Sequence, residues 1–252
     1  MANSRSGDSM TARIVRVLDT FDVDRTVQTP SEIARRAELP TSTAHRIVAE
    51  LAASGVLERD DDGRVRLGMR LWELALRGSR ALRLRQAALP HMARVQSIVR
   101  EHTQLAVLER DEALFLERLS HPDAGANITR VAGRLPLHAS SSGLVLLAYA
   151  DPEVRERILA RPLSPLTRET TTDPDDLRHL LAGIRRSGHV VAPGSVEAVS
   201  TGIAVPIRES GGVIAALSVV LPRTTSPEAT LTALTALRDA AAAITATLRA
   251  LP

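Results

Sequence analysis

The chain has 252 residues, of which 44% are hydrophobic and 24% are charged, and its formal net charge is +3. This composition is typical of one large or two modest folded domains and argues against a disordered chain. No apolar stretch approaches the roughly 20 residues of a membrane-spanning helix, and the first ten residues lack the apolar core of a signal peptide. The absence of cysteine excludes disulfides, thiolate metal sites and a cysteine nucleophile. We expect a cytoplasmic protein with no membrane partner.

All 32 basic residues are arginine, and residues 1–85 contain 15 of them against 12 acidic residues, whereas residues 86–252 contain 17 of each. Arginine binds phosphate and guanine better than any other side chain, so the excess in the first third favours a nucleic-acid partner. A GC-rich genome that prefers arginine codons is the alternative explanation. Aromatic residues make up only 2% of the chain, which disfavours a stacking surface for single-stranded nucleic acid.

The first part of the chain carries the signals of three short helices and a hairpin. Apolar residues recur at helical spacing between Ser9 and Asp22, and Thr29 places a cap residue before proline at the start of a second helix. Pro40 ends that helix, and the third helix, "STAHRIVAELAAS", is followed by Gly55. "VLERDDDGRVRL" then predicts two short strands around an Asp-Gly turn. Three helices and a ribbon predict a winged helix-turn-helix over residues 1–68.

A helix-turn-helix places the N-terminal residues of its second helix nearest the base edges of the DNA major groove. Arginine can bind guanine through two parallel hydrogen bonds, and hydroxyl groups can reach phosphates or bases. The expected DNA-binding residues on this helix are Thr41, Ser42, Thr43, His45 and Arg46. Thr41 or Ser42 is also expected to cap the helix.

On the predicted hairpin, Arg59, Arg64 and Arg66 are further candidates for contact with the DNA backbone or the minor groove, with a purely solvated ribbon as the alternative. Fold alone does not fix function, so a winged helix that binds only other proteins also stays open.

The rest of the chain predicts a linker and a second domain. Residues 69–89 predict a linker helix that is broken near Gly78, and Leu89-Pro90 is expected to start a further helix. From residue 90 to residue 252, sequential strands joined by tight turns alternate with helices, which predicts an α+β domain. One of the expected strands is "NITRVAG", and the final helix is expected to begin near Pro227 with Leu231 on its inner side.

The stretch "TPSEIARRAELPTSTAHRIVAELAASGVLERDDDGRVRLGMRLWELA" resembles the DNA-binding half of the IclR family of bacterial transcription regulators. "GRLPLHASSSGLVLLAY" and "PGSVEAVSTGIAVPIRESGGVIAALSVV" are similar to segments of the effector-binding domain of that family. The resemblance covers nearly the whole chain. It implies a GAF-like antiparallel sheet with helices on both faces, a cavity for a small-molecule effector such as an organic acid, and a homodimer that can pair into a tetramer. It also implies that the dimer binds a palindromic operator in double-stranded DNA, as a repressor or an activator.

The resemblance also points to residues of the effector cavity. Serine hydroxyls and backbone N–H groups before a helix can hold a carboxylate, and the matching positions are Ser140, Ser141 and Ser142. Nearby strands contribute the candidates Ser195, Thr201, Gly202 and Ser218, with His138 and Arg130 as possible counter-charges. The competing interpretation is that these serines cap a helix or fill space.

The chain departs from the family pattern at one position. Leu144 follows "HASSSG", where the family usually carries lysine. Either Leu144 packs in the interior in place of a structural lysine, or the cavity takes a less anionic ligand.

An enzyme is the remaining alternative and is disfavoured by the sequence. Ser140 and His138 are two residues apart on one local segment, and no G-x-S-x-G elbow brings a nucleophile to a separate base. No metal-spaced cluster, phosphate-binding glycine loop or dinucleotide motif is apparent, so we expect neither a cofactor nor a metal.

Overall fold

The structure is a computed structural model that describes residues 8–125 and 127–250. The chain divides into two compact units, residues 1–82 and residues 83–252. The elements of the first unit are α1 (Met10–Leu18), β1 (Val27–Gln28), α2 (Pro30–Arg36), α3 (Thr41–Ala53), β2 (Leu57–Arg59), β3 (Val65–Leu67) and α4 (Met69–Leu76). Three helices and a small antiparallel sheet of order β1-β3-β2 form the predicted winged helix-turn-helix.

The apolar residues of the first three helices close over the hairpin to form the core of this unit. Val17, Ile33, Ile47 and Val48 are buried together with Leu57 of the hairpin. The apolar periodicity of α1 to α3 therefore predicts the packing correctly. β1 pairs with β3 through only two residues, and such a short strand leaves no periodic signal in the sequence.

The start of α3 differs from the prediction. Pro40 is the N-cap residue, and the helix has no side-chain cap, so the prediction that Thr41 or Ser42 caps it is wrong. Proline fixes its own φ near the value that a helix entrance needs, and the Pro40 carbonyl accepts the N–H of Ala44. Thr41 and Ser42 thus lie in the first turn of the helix, with exposed side chains.

The linker also differs from the prediction in one respect. A break at Gly78 separates α4 from α5 (Arg80–Val99), as the sequence indicates, but α5 does not begin at Pro90. The Ser79 hydroxyl accepts the N–H of Leu82 at the start of α5, and Pro90 lies inside the helix. Burial of Ala87, Ala88 and Met92 around the proline compensates for the backbone hydrogen bond that proline cannot make.

The second unit is built on a six-stranded antiparallel sheet of order β6-β5-β4-β9-β8-β7. Its strands are β4 (His102–Glu109), β5 (Glu112–Leu119), β6 (Arg134–Pro136), β7 (Val190–Pro193), β8 (Ser200–Glu209) and β9 (Gly212–Pro222). Its further helices are α6 (Ser141–Tyr149), α7 (Pro152–Leu159), α8 (Pro174–Ser187) and α9 (Pro227–Ala250).

Neighbouring residues of the strands alternate between two cores, one on each face of this sheet. Leu105 and Ile203 pack with α5 and α9, whereas Ala106 and Ala204 pack with α6, α7 and α8. The predicted α+β fold, with an antiparallel sheet and helices on both faces, is confirmed. Leu231 of α9 is exposed, so its predicted inward position is wrong.

Residues 127–133 form a loop rather than the predicted strand "NITRVAG". The Arg118 side chain binds the backbone carbonyls of Asn127 and Thr129, and Ala132 has a positive φ of 62°. Backbone pairing with β5 returns at Ala132 and Gly133, which hydrogen-bond to Phe115, and continues into β6. Among the described residues no helix is both long and apolar enough to cross a membrane.

Candidate functional site

The outer face of α3 carries polar side chains over its first two turns. Thr41, Ser42, His45 and Arg46 are exposed and Thr43 is half-buried, while Ala44, Ile47 and Val48 face the core. The Arg46 guanidinium lies 3.0 Å from a carboxylate oxygen of Glu50, one helical turn away, and its side chain stays 54% exposed. This ion pair holds Arg46 against the helix while leaving part of its donor set to a partner.

The hairpin presents two more arginines beside that helix in the same unit. Arg59 ends β2 and Arg64 precedes β3, and both are exposed. The Asp60 carboxylate accepts the backbone N–H of Arg64 and fixes the turn. Exposed arginines on a rigid hairpin can bind phosphate groups.

The second unit contains a cavity of about 400 Å³, counting the part open to solvent. The cavity lies at the N-terminal end of α6 against the sheet. Its lining residues are Gln104, Phe115, Asn127, Thr129, Leu135, Ala139, Ser140, Ser141, Ser142, Ala192, Ser195, Val196, Glu197, Ser200, Gly202 and Val220.

The serines at the start of α6 line this cavity and also organise it. Ser140 is the N-cap, and its Oγ accepts the N–H of Gly143 at 3.0 Å. Ser142 donates its hydroxyl to Ser218 Oγ at 2.8 Å, and Ser195 donates to the Ala139 carbonyl at 2.8 Å. Ser140 thus caps the helix, as the competing interpretation predicts, and it also lines the cavity.

Two glycines let α6 approach its neighbours closely. A Cβ atom at Gly202 would lie 2.6 Å from Ser141 Oγ, and one at Gly143 would lie 2.7 Å from the backbone of Leu137. The N-terminal turn of α6 is therefore fixed between β8 and the segment that precedes the helix.

Several predicted cavity residues do not line the cavity. Ser218 lies behind Ser142 and is fully buried, and Thr201 is buried on β8. Arg130 is exposed on the loop after Asn127. His138 is buried and its Nε2 lies 3.0 Å from the Ser164 carbonyl.

Leu144 is 2% exposed and packs among the buried residues of α6 and α8. It does not line the cavity. Of the two explanations for its presence, the structure therefore matches the one in which leucine packs in the interior.

Sequence reasoning did not find Gln104, Asn127, Thr129 or Glu197, which line the cavity. Gln104 is 3% exposed on β4, where it pairs with Ser218 of β9. A buried polar residue inside an apolar strand was the available signal. Asn127 and Glu197 lie in loops that no periodic pattern describes.

Both halves of the chain match a known family. The family model described as "IclR helix-turn-helix domain" matches residues 11–61, and the one described as "Bacterial transcriptional regulator IclR C-terminal" matches residues 79–246. The chain belongs to the IclR family of bacterial transcription regulators. The family, the fold class and the function of a helix-turn-helix regulator with a ligand-binding C-terminal domain, as predicted from the sequence, are confirmed.

Individual IclR-family proteins are similar over most of the chain. BhcR of Paracoccus denitrificans is 31% identical over 225 residues, which cover 88% of this chain and 80% of that protein. XynR of Escherichia coli is 27% identical over 209 residues, which cover 82% and 83%. An IclR homolog from Microbacterium hydrocarbonoxydans, solved in complex with 4-hydroxybenzoate, is 65% identical with a TM-score of 0.92, and the match covers 96% of this chain and 100% of that chain.

Proposed function

We propose that this regulator binds a two-fold symmetric operator as a homodimer and that an aromatic carboxylic acid in the cavity changes its affinity for DNA. The observation that carries the DNA-binding half is the exposed polar face of α3, on a helix that family membership assigns to DNA recognition. Because the dimer and the operator share two-fold symmetry, each α3 would meet one half-site.

The side chains of α3 suggest a division of roles on DNA. Arg46 is the candidate for base reading, because a guanidinium can donate two hydrogen bonds to one guanine. Thr41, Ser42, Thr43 and His45 are candidates for phosphate and base contacts at the same helix end. Arg59 and Arg64 on the hairpin are candidates for the phosphate backbone. These contacts would fix the position of the protein along the DNA, whereas Arg46 would provide the preference for a base sequence.

An exposed apolar surface in the first unit supports the homodimer. Large apolar side chains of α4 and its flanks are about half exposed, namely Leu67, Met69, Trp72, Leu74 and Leu76. Monomeric soluble proteins rarely expose a contiguous group of large apolar residues. A second copy of the chain would cover this surface by the isologous contact that two-fold symmetry produces. Pairing of two dimers stays a prediction.

The effector class is inferred from the cavity and from the Microbacterium relative. That relative is solved with 4-hydroxybenzoate and shares 65% of its residues with this chain. Here the first turn of α6 faces the cavity with Ser141 and Ser142. Ser140 Oγ accepts the N–H of Gly143, so the N–H groups of Ser141 and Ser142 are the ones left without an acceptor within the helix. A carboxylate at that end of α6 would satisfy them and complement the helix dipole. The predicted residues that do not line the cavity would influence effector binding without contacting the effector, namely Thr201, Ser218, His138 and Arg130.

We propose a regulatory rather than a catalytic role for the cavity. The Ser140 hydroxyl donates toward the Pro136 carbonyl and accepts from Gly143, while His138 Nε2 is bound to the Ser164 carbonyl. Neither group is oriented to activate the other, as nucleophilic catalysis requires. A DNA-binding role also implies that the protein works in the bacterial cytoplasm, where its operator lies.

The test is an anisotropy titration of labelled duplex from the region upstream of the gene, with and without 4-hydroxybenzoate. Arg46→Ala should weaken operator binding about 5- to 150-fold, corresponding to about 1–3 kcal/mol, and relax preference at one base pair. Arg178→Ala on α8 removes the same charge from the second unit and should leave DNA binding unchanged. Equal operator affinity and sequence preference for Arg46→Ala and the wild type would remove Arg46 from the interface.

A further inference from the structure

Two buried amide groups at the cavity have hydrogens with no acceptor. Among the described residues, Gln104 Nε2 and Asn127 Nδ2 are fully shielded from solvent and have no hydrogen-bond partner. Both residues line the cavity, and Gln104 is 3% exposed. A buried N–H without an acceptor destabilises a protein, so native structures contain few of them, and each calls for a physical reason.

Neighbouring hydrogen bonds fix the direction of both amides. Ser142 donates to Ser218 Oγ at 2.8 Å, and Ser218 in turn donates to Gln104 Oε1 at 3.5 Å. Asn127 Oδ1 accepts the backbone N–H of Thr129 at 2.7 Å. An amide oxygen that accepts a hydrogen bond leaves its NH₂ group on the other branch, so both NH₂ groups are left for a ligand.

The charges of the rest of the lining limit how an anion can bind. Among the described residues that line the cavity, none is arginine, lysine or histidine, and the one carboxylate is that of Glu197. An anion in this cavity must therefore be held by neutral N–H and O–H donors. The Glu197 carboxylate repels any anionic group close to it, which disfavours a ligand with more than one negative charge.

We propose that Gln104 and Asn127 are specificity-determining residues that select planar monocarboxylates over their neutral amide analogues. This inference rests on the proposed effector role of the cavity. Sites built to hydrogen-bond a ligand group reject analogues that lack it, because buried protein groups are then left unpaired. A carboxylate offers acceptors on both of its oxygens, whereas a carboxamide offers one oxygen and turns hydrogens toward any donor that meets its other branch.

The test uses calorimetric titration of the full chain with 4-hydroxybenzoate and with neutral 4-hydroxybenzamide. Gln104→Glu and Asn127→Asp keep the size and shape of each side chain but replace the NH₂ donor by an oxygen, and the introduced aspartate retains the acceptor for the N–H of Thr129. Each variant should bind 4-hydroxybenzoate at least about tenfold more weakly. The preference for acid over amide should fall by a similar factor or reverse, because a carboxylate accepts from a carboxamide. Gln86→Glu, exposed on α5, is the matched control and should bind both compounds as the wild type does.

Each outcome bears on a defined claim. If the wild type binds 4-hydroxybenzoate and both variants retain its affinity and its acid-to-amide ratio, Gln104 and Asn127 do not select the ligand. If the wild type binds neither compound, the proposed effector class is wrong, and this inference fails with it. If Gln104→Glu fails to fold, as judged by its circular dichroism spectrum, Asn127→Asp on the half-buried loop still decides the question.

Discussion

The contact between β8 and the start of α6 gives a quantitative prediction for Gly202→Ala. The new Cβ would lie 2.6 Å from Ser141 Oγ and 2.9 Å from Ser141 Cβ. A rotamer change can move the hydroxyl but not the Cβ, and ordinary carbon contacts begin near 3.4 Å, so α6 must retreat by about 0.5 Å. Overpacking of this kind destabilises the folded state by about 1–3 kcal/mol. Alanine also lowers the conformational entropy of the unfolded chain, which stabilises the fold by about 0.4–1 kcal/mol. We expect a net destabilisation of about 1–2 kcal/mol.

Urea unfolding followed by circular dichroism measures this loss, and calorimetric titration measures the accompanying loss of 4-hydroxybenzoate affinity, expected to be about tenfold. The control is Gly183→Ala inside α8, where a Cβ would meet only the end of the Arg186 side chain at 3.9 Å, so stability should rise by up to about 1 kcal/mol. Ser141→Gly should rescue Gly202→Ala in a double-mutant cycle. Unchanged or increased stability of Gly202→Ala alone would refute the close approach of α6 to β8.

Three further changes test other parts of the structure. Hydrogen bonds from Arg157, together with the charge of Arg161, hold the pKa of the Asp111 carboxyl below its ordinary value. The stability that the ionised Asp111 carboxylate contributes is therefore present above about pH 4 and is lost as the pH falls lower. In Asp111→Asn this loss is absent, so the urea midpoint should change less with pH on the acid side. Trp72→Ser should weaken self-association about tenfold or more in sedimentation equilibrium, and an unchanged mass distribution would exclude Trp72 from the interface. Leu144→Lys should lower the free energy of unfolding by about 2–5 kcal/mol, since it replaces a packed leucine of α6 by a cation among buried apolar residues.

The winged helix was predictable because its determinants are local. Thr29 and Glu32 form a capping box at α2, Gly55 takes a positive φ after α3, and the hairpin turns at Asp60–Arg64. Each of these features depends on residues within a few positions along the chain. The cap of α3 was not predicted, because a proline that supplies the helix entrance competes with the hydroxyl residues after it.

The cavity was only partly predictable, because its wall joins segments that are distant in sequence. The serines before α6 were found from a local motif, whereas Gln104 reaches them through Ser218, which is 114 residues away along the chain. The loop that carries Asn127 is shaped by Arg118, whose side chain takes backbone carbonyls that a strand would have used. Such long-range competition for hydrogen bonds leaves no trace in periodicity or propensity.

The alternation of β4 between the two cores has a consequence for signalling. Gln104 borders the cavity, and the next residue, Leu105, packs with α5 and α9 on the opposite face. A ligand bound to the Gln104 amide would therefore contact a residue whose neighbour in the chain packs against α5 and α9. One strand thus borders both the cavity and the core that contains α5, so a change at Gln104 would have to cross only the thickness of the sheet to reach that helix.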